Sequence, residues 1–465
     1  MNAFTLAHRP LRLLFYSALS IFILSSSSSG LEPSAAARTL TLEQALQLAL
    51  THNSSLLRLG YETARREIDR QEARSRRRPD LDLDFELAER FGRRFDQSIG
   101  RLEDRRSTVL GVRAQSTFTL FDHKGHKAAV VIAERELAAG KEQSQWGRQR
   151  VLFEVSSRYM VILLDAVLIR IGQEHLQAQQ EQLRRVEGFR RLGKRPHSDV
   201  LQQRAALSRA QLRLLDAERQ LATDKLNLKD ILGVEPQMEI ELVGFDRSAM
   251  HRVLPTYDLV SLLDEALATR ADIKSLARAL EASEEALRRA RIHYWPQVDL
   301  FVSMGTDYTS SKEDLGLVDQ LIDVNPNAMV GLSLSAPVLD RGIAKGALRR
   351  AQIAHREAAL KLADQRRSIA LELQQALLDY NVAQQQLVVA REERAYAQEA
   401  LKEIVTRYDK GMATVAELTQ ARAQHVEATG GEAVANHNVL LRQLAIDFFA
   451  NRPSDTPISH VEEAH

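Results

Sequence analysis

The sequence contains no cysteine. That excludes disulfides, thiolate metal sites, thiol nucleophiles and a lipid anchor on an N-terminal cysteine. Net charge is nearly absent as well: 63 Lys and Arg against 62 Asp and Glu leave +1, so nothing electrostatic favours a nucleic-acid partner. No Gly-rich phosphate loop, His-Glu-x-x-His helix or Gly-x-Ser-x-Gly elbow occurs, and the 13 histidines are scattered. His123 and His126 stand close together beside Lys124 and Lys127. Two histidines without a third ligand make a poor metal site, and a solvated charged collar is the better reading. Neither catalysis nor a cofactor nor a bound metal is expected.

Long apolar runs are equally scarce. Residues 13–24 (LLFYSALSIFIL) form one of about a dozen residues, short of the ~20 that a spanning helix needs. With Arg9 and Arg12 before it and Ala35-Ala36-Ala37 after it, the run reads as the core of a signal peptide over residues 1–37. No later segment is apolar enough to cross a membrane as a helix.

Proline is sparse, 11 in 465 residues, and its placement is informative. None lies between Pro79 and Pro196, between Pro196 and Pro236, or between Pro337 and Pro453. Proline breaks helix interiors, so these gaps admit very long helices, and a helix of about 60 residues reaches roughly 90 Å. Val155, Tyr159, Ile162, Ala166 and Ile169 keep a heptad-like spacing. The following segment carries two apolar seams, one through Leu201, Ala205, Leu212 and Leu215, the other through Leu207, Ala210, Leu214 and Ala217. Two seams point to a neighbour on either side, as in a tube of helices, although an ordinary bundle core shares this period.

The second half restates the first. Leu42, Leu46, Ala49 and Pro79 recur as Leu259, Leu263, Ala266 and Pro296 at one offset; Asp122, Glu154, Gly193 and Asp199 recur as Asp340, Glu372, Gly411 and Glu417 at an offset one residue larger. The first repeat, 38–235, is expected to hold helices near 41–77, 123–190 and 197–232 and strands near 80–90 and 107–121. A linker or equatorial segment spans 236–256. The second repeat, 257–450, is expected to hold helices near 259–293, 341–408 and 414–449 and strands near 297–309 and 327–339. The tail, 451–465, is expected to be disordered.

The strands alternate. Leu81, Leu83, Phe85 and Leu87 fall between Asp80, Asp82, Asp84 and Glu86, and the other three segments keep the same period. Each is about ten residues, the length of a tilted membrane strand, with one apolar and one polar face. Four such strands cannot close a barrel, and an open edge in lipid is prohibitively costly. Three chains would supply about twelve strands. The connecting loops, 91–106 with its arginines and the acidic one between the second pair, would then lie outside the cell.

From about Leu40 to Phe449 the chain resembles the outer membrane efflux protein (TolC-like) family. The segment Leu40 to Asn53 (LTLEQALQLALTHN), the Leu120-Phe121-Asp122 and Val338-Leu339-Asp340 boundaries, and the turns Gly193 to Leu201 and Gly411 to Leu418 carry the resemblance. It implies a mainly α fold with membrane β: a homotrimer with a 12-stranded outer-membrane β-barrel continued by a periplasmic α-helical barrel. It also implies a passive exit channel for a tripartite efflux or type I secretion system. The partners would be outer-membrane lipid, a periplasmic adaptor and an inner-membrane pump of RND or ABC type. Gly193, Lys194, Arg195, Gly411, Met412 and Ala413 would form the adaptor-contacting tips. The pore gate would comprise Asp199, Tyr408, Glu417 and Gln420. Three Glu417 carboxylates on one axis would raise one another's pKa and attract cations. Gln420 stands where the family has a second acidic ring. Tyr408 matches a latch tyrosine whose arginine partner is replaced here by Ala413, which implies a looser gate. A periplasmic coiled-coil scaffold would account for the helices but leaves the four strands unexplained. An envelope hydrolase lacks a nucleophile and base.

Overall fold

The computed structural model describes residues 38–96, 101–244, 255–292, 294–310 and 315–452. The expected signal peptide, most of the tail and part of the linker lie outside them. In chain order the elements are β1 (Arg38–Leu40), α1 (Leu42–His52), α2 (Ser54–Ser75), β2 (Asp82–Asp96), β3 (Arg101–Phe121), α3 (Gly125–Arg191), α4 (His197–Leu232) and β4 (Ile240–Leu242). They continue with α5 (Leu259–Thr269), α6 (Ala271–Ile292), β5 (Gln297–Thr309), α7 (Leu317–Asp319) with a π-helical turn (Gln320–Val324), β6 (Asn327–Ser335), α8 (Ile343–Asp409) and α9 (Val415–Ala450).

Each half runs through helices of 11, 22, 67 and 36 residues. The 67-residue helices extend about 100 Å. No described helix is long and apolar enough to cross a membrane.

The helices expected at 41–77 and 259–293 are each two helices. In the first half Asn53 leaves the helical region, and its side-chain oxygen accepts from the Ser55 and Leu56 amides, capping α2. Its Nδ2 donates to the Ile231 carbonyl at 2.8 Å, tying the break to the end of α4. There Gly233 ends α4 at φ 69°, and a Cβ on it would lie 2.3 Å from the His52 carbonyl oxygen, so glycine is required for both conformation and approach.

The second break is built from Arg270, which is 1% exposed. Its guanidinium donates to Asp272 at 2.7 and 3.1 Å and to the Phe449 carbonyl at 3.2 Å, and lies 3.5 Å from Glu372. It also covers the Trp146 ring at 4.4 Å. Trp146 and Phe153 stack on Phe448, so one buried cation joins α3, α6, α8 and α9. A short parallel pairing of β1 with β4, unforeseen from sequence, is held from α3 by the Tyr159 hydroxyl, 2.9 Å from the Leu40 carbonyl and 2.7 Å from that of Val243.

The four long strands form one antiparallel sheet in the order β2-β3-β5-β6. Its register lines up like faces: Leu83, Ala114 and Met304 are successive partners, as are Leu87, Leu110 and Tyr308, and Phe118, Leu300 and Leu332. The opposite face carries rows such as Asp84–Arg113–Gly305 and Thr119–Asp299–Ser333. The apolar face is uncovered within the chain: Phe85 is 70% exposed and Leu87 75%. Both β2 and β6 are edges. Residues 91–96 and 101–106, expected to be loop, instead extend β2 and β3. Arg106 pairs with Glu89 at 2.6 Å and covers the Phe91 ring, contacts available only across paired strands. β6 stops at Ser335, ahead of Pro337, rather than near 339.

Replacing Arg270 by Met should leave the Asp272 carboxylate buried and uncompensated, a loss of about 3–5 kcal/mol. Thermal unfolding should show a large fall, and the added change Asp272→Asn should restore part of it.

Candidate functional site: the helical tips

Each 67-residue helix turns back through a five-residue connection. Gly193 (φ 70°) and Gly411 (φ 74°) adopt the left-handed conformation that ends a helix. The closing bonds match: Lys194 N to Phe189 O at 2.9 Å and Met412 N to Arg407 O at 2.8 Å. Lys194 and Met412 are exposed at these turns, and Arg195 is half-buried. Ala413, expected on the tip surface, is buried: it packs with Tyr408, Val415 and Leu418 of its own hairpin and with Val186 and Val200 of the other.

Asp199 and Glu417 both occupy the third helical position after a turn, with different partners. Pro196 makes no side-chain cap for α4, and Asp199 instead pairs with Arg195 at 3.6 Å. Thr414 caps α9 reciprocally: the Glu417 amide donates to Thr414 Oγ1 at 3.2 Å, and the Thr414 amide donates to Glu417 Oε2 at 2.6 Å. These bonds to Thr414, backbone first, hold the exposed Glu417 carboxyl below the ordinary range. Within the single chain the shift is therefore opposite in direction to that expected of a carboxylate ring.

Tyr408 is not without an arginine. The Arg195 guanidinium, from the first hairpin, lies 4.8 Å over its ring. Burial pushes the Tyr408 phenol up, and the nearby Arg195 charge opposes that push. A cation over the Tyr408 ring is thus supplied from the other hairpin, where the resemblance implied none. Gln420 is exposed, on the wall of a groove of about 420 Å³ shared with His175, Gln202, Arg209 and Arg213.

Above the tips the α3–α4 interface holds a feature that sequence reading missed. Asp165 and Asp224, 8% and 5% exposed, are neighbours. Gln220 donates to Asp224 at 2.7 Å, Arg158 stands 4.0 Å from it, and Asp165 Oδ2 meets no hydrogen-bond donor. Burial first, then the Asp224 carboxylate, push Asp165 up to about 6. Neither residue stands out in sequence, because charged residues are frequent on long helices.

The sequence profile of the family described as "Outer membrane efflux protein" matches residues 45–234 and again 262–451. Protein CyaE of Bordetella pertussis is 25% identical over 419 residues, which are 88% of this chain and 83% of CyaE. Outer membrane protein TolC of Escherichia coli K12 is 23% identical over 381 residues, 81% of this chain and 75% of TolC. The crystal structure of the Campylobacter jejuni CmeC outer membrane channel matches this fold with a TM-score of 0.77, covering 91% of this chain and 88% of that one at 14% identity.

The buried acid pair makes stability pH-dependent. A folded-state pKa of about 6 lies above the ordinary Asp value, so the contribution of Asp165 to stability is full below pH ~4 and is lost as pH rises through 6. Asp165→Asn should abolish this slope and raise the unfolding temperature at pH 8, with a gain on the order of 2–3 kcal/mol. Melting curves between pH 4 and pH 8 provide the check.

Proposed function

The chain belongs to the outer membrane efflux protein family, and from that premise we propose that it is the outer-membrane exit channel of a tripartite efflux or type I secretion system. The observation that carries this reading is the sheet, four strands with an uncovered apolar face and two open edges, set on the long helices. An unpaired strand edge costs several kcal/mol per backbone group in lipid. Three copies give twelve strands and remove every edge. The recurrence of four helix lengths and the double family match support an origin by duplication. A periplasmic scaffold would have no use for such a sheet.

In this reading the channel is a passive conduit, and an inner-membrane pump of RND or ABC type supplies energy through a periplasmic adaptor. The adaptor meets the exposed parts of the turns, Gly193, Lys194, Gly411 and Met412, with Arg195 at their margin. Glu417 lines the narrowest part of the pore with Gln420 behind it. Its carboxylate is ionised near neutrality, because the Thr414 bonds favour the charged form. Arg195 holds Tyr408 and Asp199 together and ties the two hairpins in the resting state.

Single-channel recording in planar bilayers, with the detergent-solubilised mass from the same preparation, tests the whole reading. A trimer with small, cation-preferring conductance is expected, and a soluble monomer that never inserts sinks it. Glu417→Gln should weaken block by multivalent cations while retaining a side-chain oxygen for the cap. Undiminished block would leave Glu417 as a capping residue only. Arg195→Ala should increase resting conductance several-fold, through loss of the tie between hairpins.

A further inference from the structure

The four junctions between sheet and helices lie at one end of the sheet, because its strands alternate in direction. Arg76, Arg77 and Arg78 precede β2, Lys124 and Lys127 follow β3, Arg289 and Arg291 precede β5, and Arg341 and Lys345 follow β6. All nine are exposed. Among the described residues none of them takes part in an ion pair, whereas arginines along the helices commonly do, as in Arg74–Glu134 and Arg288–Glu284.

Most acids at this level are engaged elsewhere: Asp80 accepts from the Thr117 amide, and Asp299 from Thr119 and Gln297 at 2.7 and 2.9 Å. Asp122 accepts from the His126 amide, and Asp340 accepts from the Gly342 and Ala344 amides at 2.9 and 2.6 Å, closing the N-termini of α3 and α8. Among the described residues the nine bases thus outnumber the acids of these junctions, Asp80, Asp82, Asp122, Asp299 and Asp340, and none is paired with one.

Aromatic and apolar groups occur at the same level. Tyr294 and Trp295 are half exposed, and the Trp295 indole stacks on the His123 ring at 4.0 Å. Val338 and Leu339 are more than nine-tenths exposed beside Arg341. A cavity of about 530 Å³ brings Arg289, His126 and Trp295 together against Pro296 and Ala336. Cations next to interfacial tryptophan and exposed aliphatics match a phospholipid, phosphate above and acyl chain below.

We propose that this junction is a binding collar for anionic phospholipid of the periplasmic leaflet, gripped by the Arg76–Arg78 and Arg289–Arg291 segments with Trp295 at the headgroup level. The proposal rests on the outer-membrane barrel reading given above. Unpaired Lys and Arg near an anionic surface attract it additively, so several acting together would enrich such lipid strongly.

Trp295 supplies the probe. The chain has two tryptophans, and Trp146→Phe leaves Trp295 alone while keeping an aromatic ring under Arg270. The full chain would be reconstituted into phosphatidylethanolamine vesicles containing equal fractions of chain-brominated phosphatidylglycerol or chain-brominated phosphatidylethanolamine. Brominated phosphatidylglycerol should quench Trp295 at least twofold more than the zwitterionic lipid. Joint change of Arg76, Arg77, Arg78, Arg289 and Arg291 to Gln should bring the ratio near one, with quenching by brominated phosphatidylethanolamine unaltered. A wild-type ratio near one, or a ratio unmoved by the five substitutions, would overturn the collar. An excess competed away by inorganic phosphate would make it a free-anion site and overturn it likewise. Absence of quenching by either lipid would instead remove the barrel reading on which the proposal stands.

Discussion

A four-stranded sheet with one bare apolar face and two unpaired edges is stable alone in neither water nor lipid. In water the apolar face is a large exposed patch, and in lipid the edges of β2 and β6 present unsatisfied backbone groups. In the reading proposed above, copies of the chain join through these edges and the joined sheet sits where apolar surface is solvated by hydrocarbon. Every other feature follows from holding such strands at the head of a long helical body. The helices are long because no proline interrupts them, and the strand boundaries fall at Pro79, Pro296 and Pro337 because proline suits an extended start or stop.

The two halves repeat element by element yet are wired differently at corresponding places. At the break in the first helix pair a neutral amide, Asn53, reaches the end of α4; at the break in the second a buried guanidinium, Arg270, reaches the end of α9. A buried charge requires company, and Asp272, Glu372 and Trp146 supply it. The tips differ in the same manner. Thr414 and Glu417 close α9 together, whereas Pro196 gives α4 no side-chain cap and Asp199 pairs instead with Arg195, which reaches Tyr408 across the hairpins. Repetition sets the frame, and single side chains decide how stiff each half is.

Much of this frame was legible. Apolar alternation located all four strands, because one face had to be apolar in either setting, and proline and glycine located the helix ends. The breaks at Asn53 and Arg270 were not legible, since their flanks keep a helical period and only the tertiary acceptors, Ile231 and Phe449, make stopping worthwhile. The length of β2 and β3 was missed because their far ends are rich in arginine, read as loop composition, where the cross-strand partner Glu89 makes Arg106 compatible with a strand. At the tip the residues that the resemblance singled out stand near Gly193 and Gly411, with Ala413 buried between the hairpins rather than on the surface. The identity of the arginine on Tyr408 was out of reach, because it comes from the opposite hairpin, more than 200 residues earlier in the chain.

The near-zero net charge conceals a division of labour that only the fold displays. Along the helices acids and bases cancel in pairs one turn apart or across neighbouring helices, a solvated surface of little energetic weight. At the sheet–helix junctions Asp122 and Asp340 are engaged at helix N-termini, and the bases there outnumber the acids. At the tips the sign is divided, with Glu417 kept ionised by Thr414 and Asp199 held by Arg195. A chain that is neutral overall thus carries unpaired positive charge where the apolar strands begin and a mixture of both signs where the long helices end. The long helices set these two places about 100 Å apart, many times the ~10 Å over which charge is felt in salt solution, so the charges of one end leave those of the other unaffected.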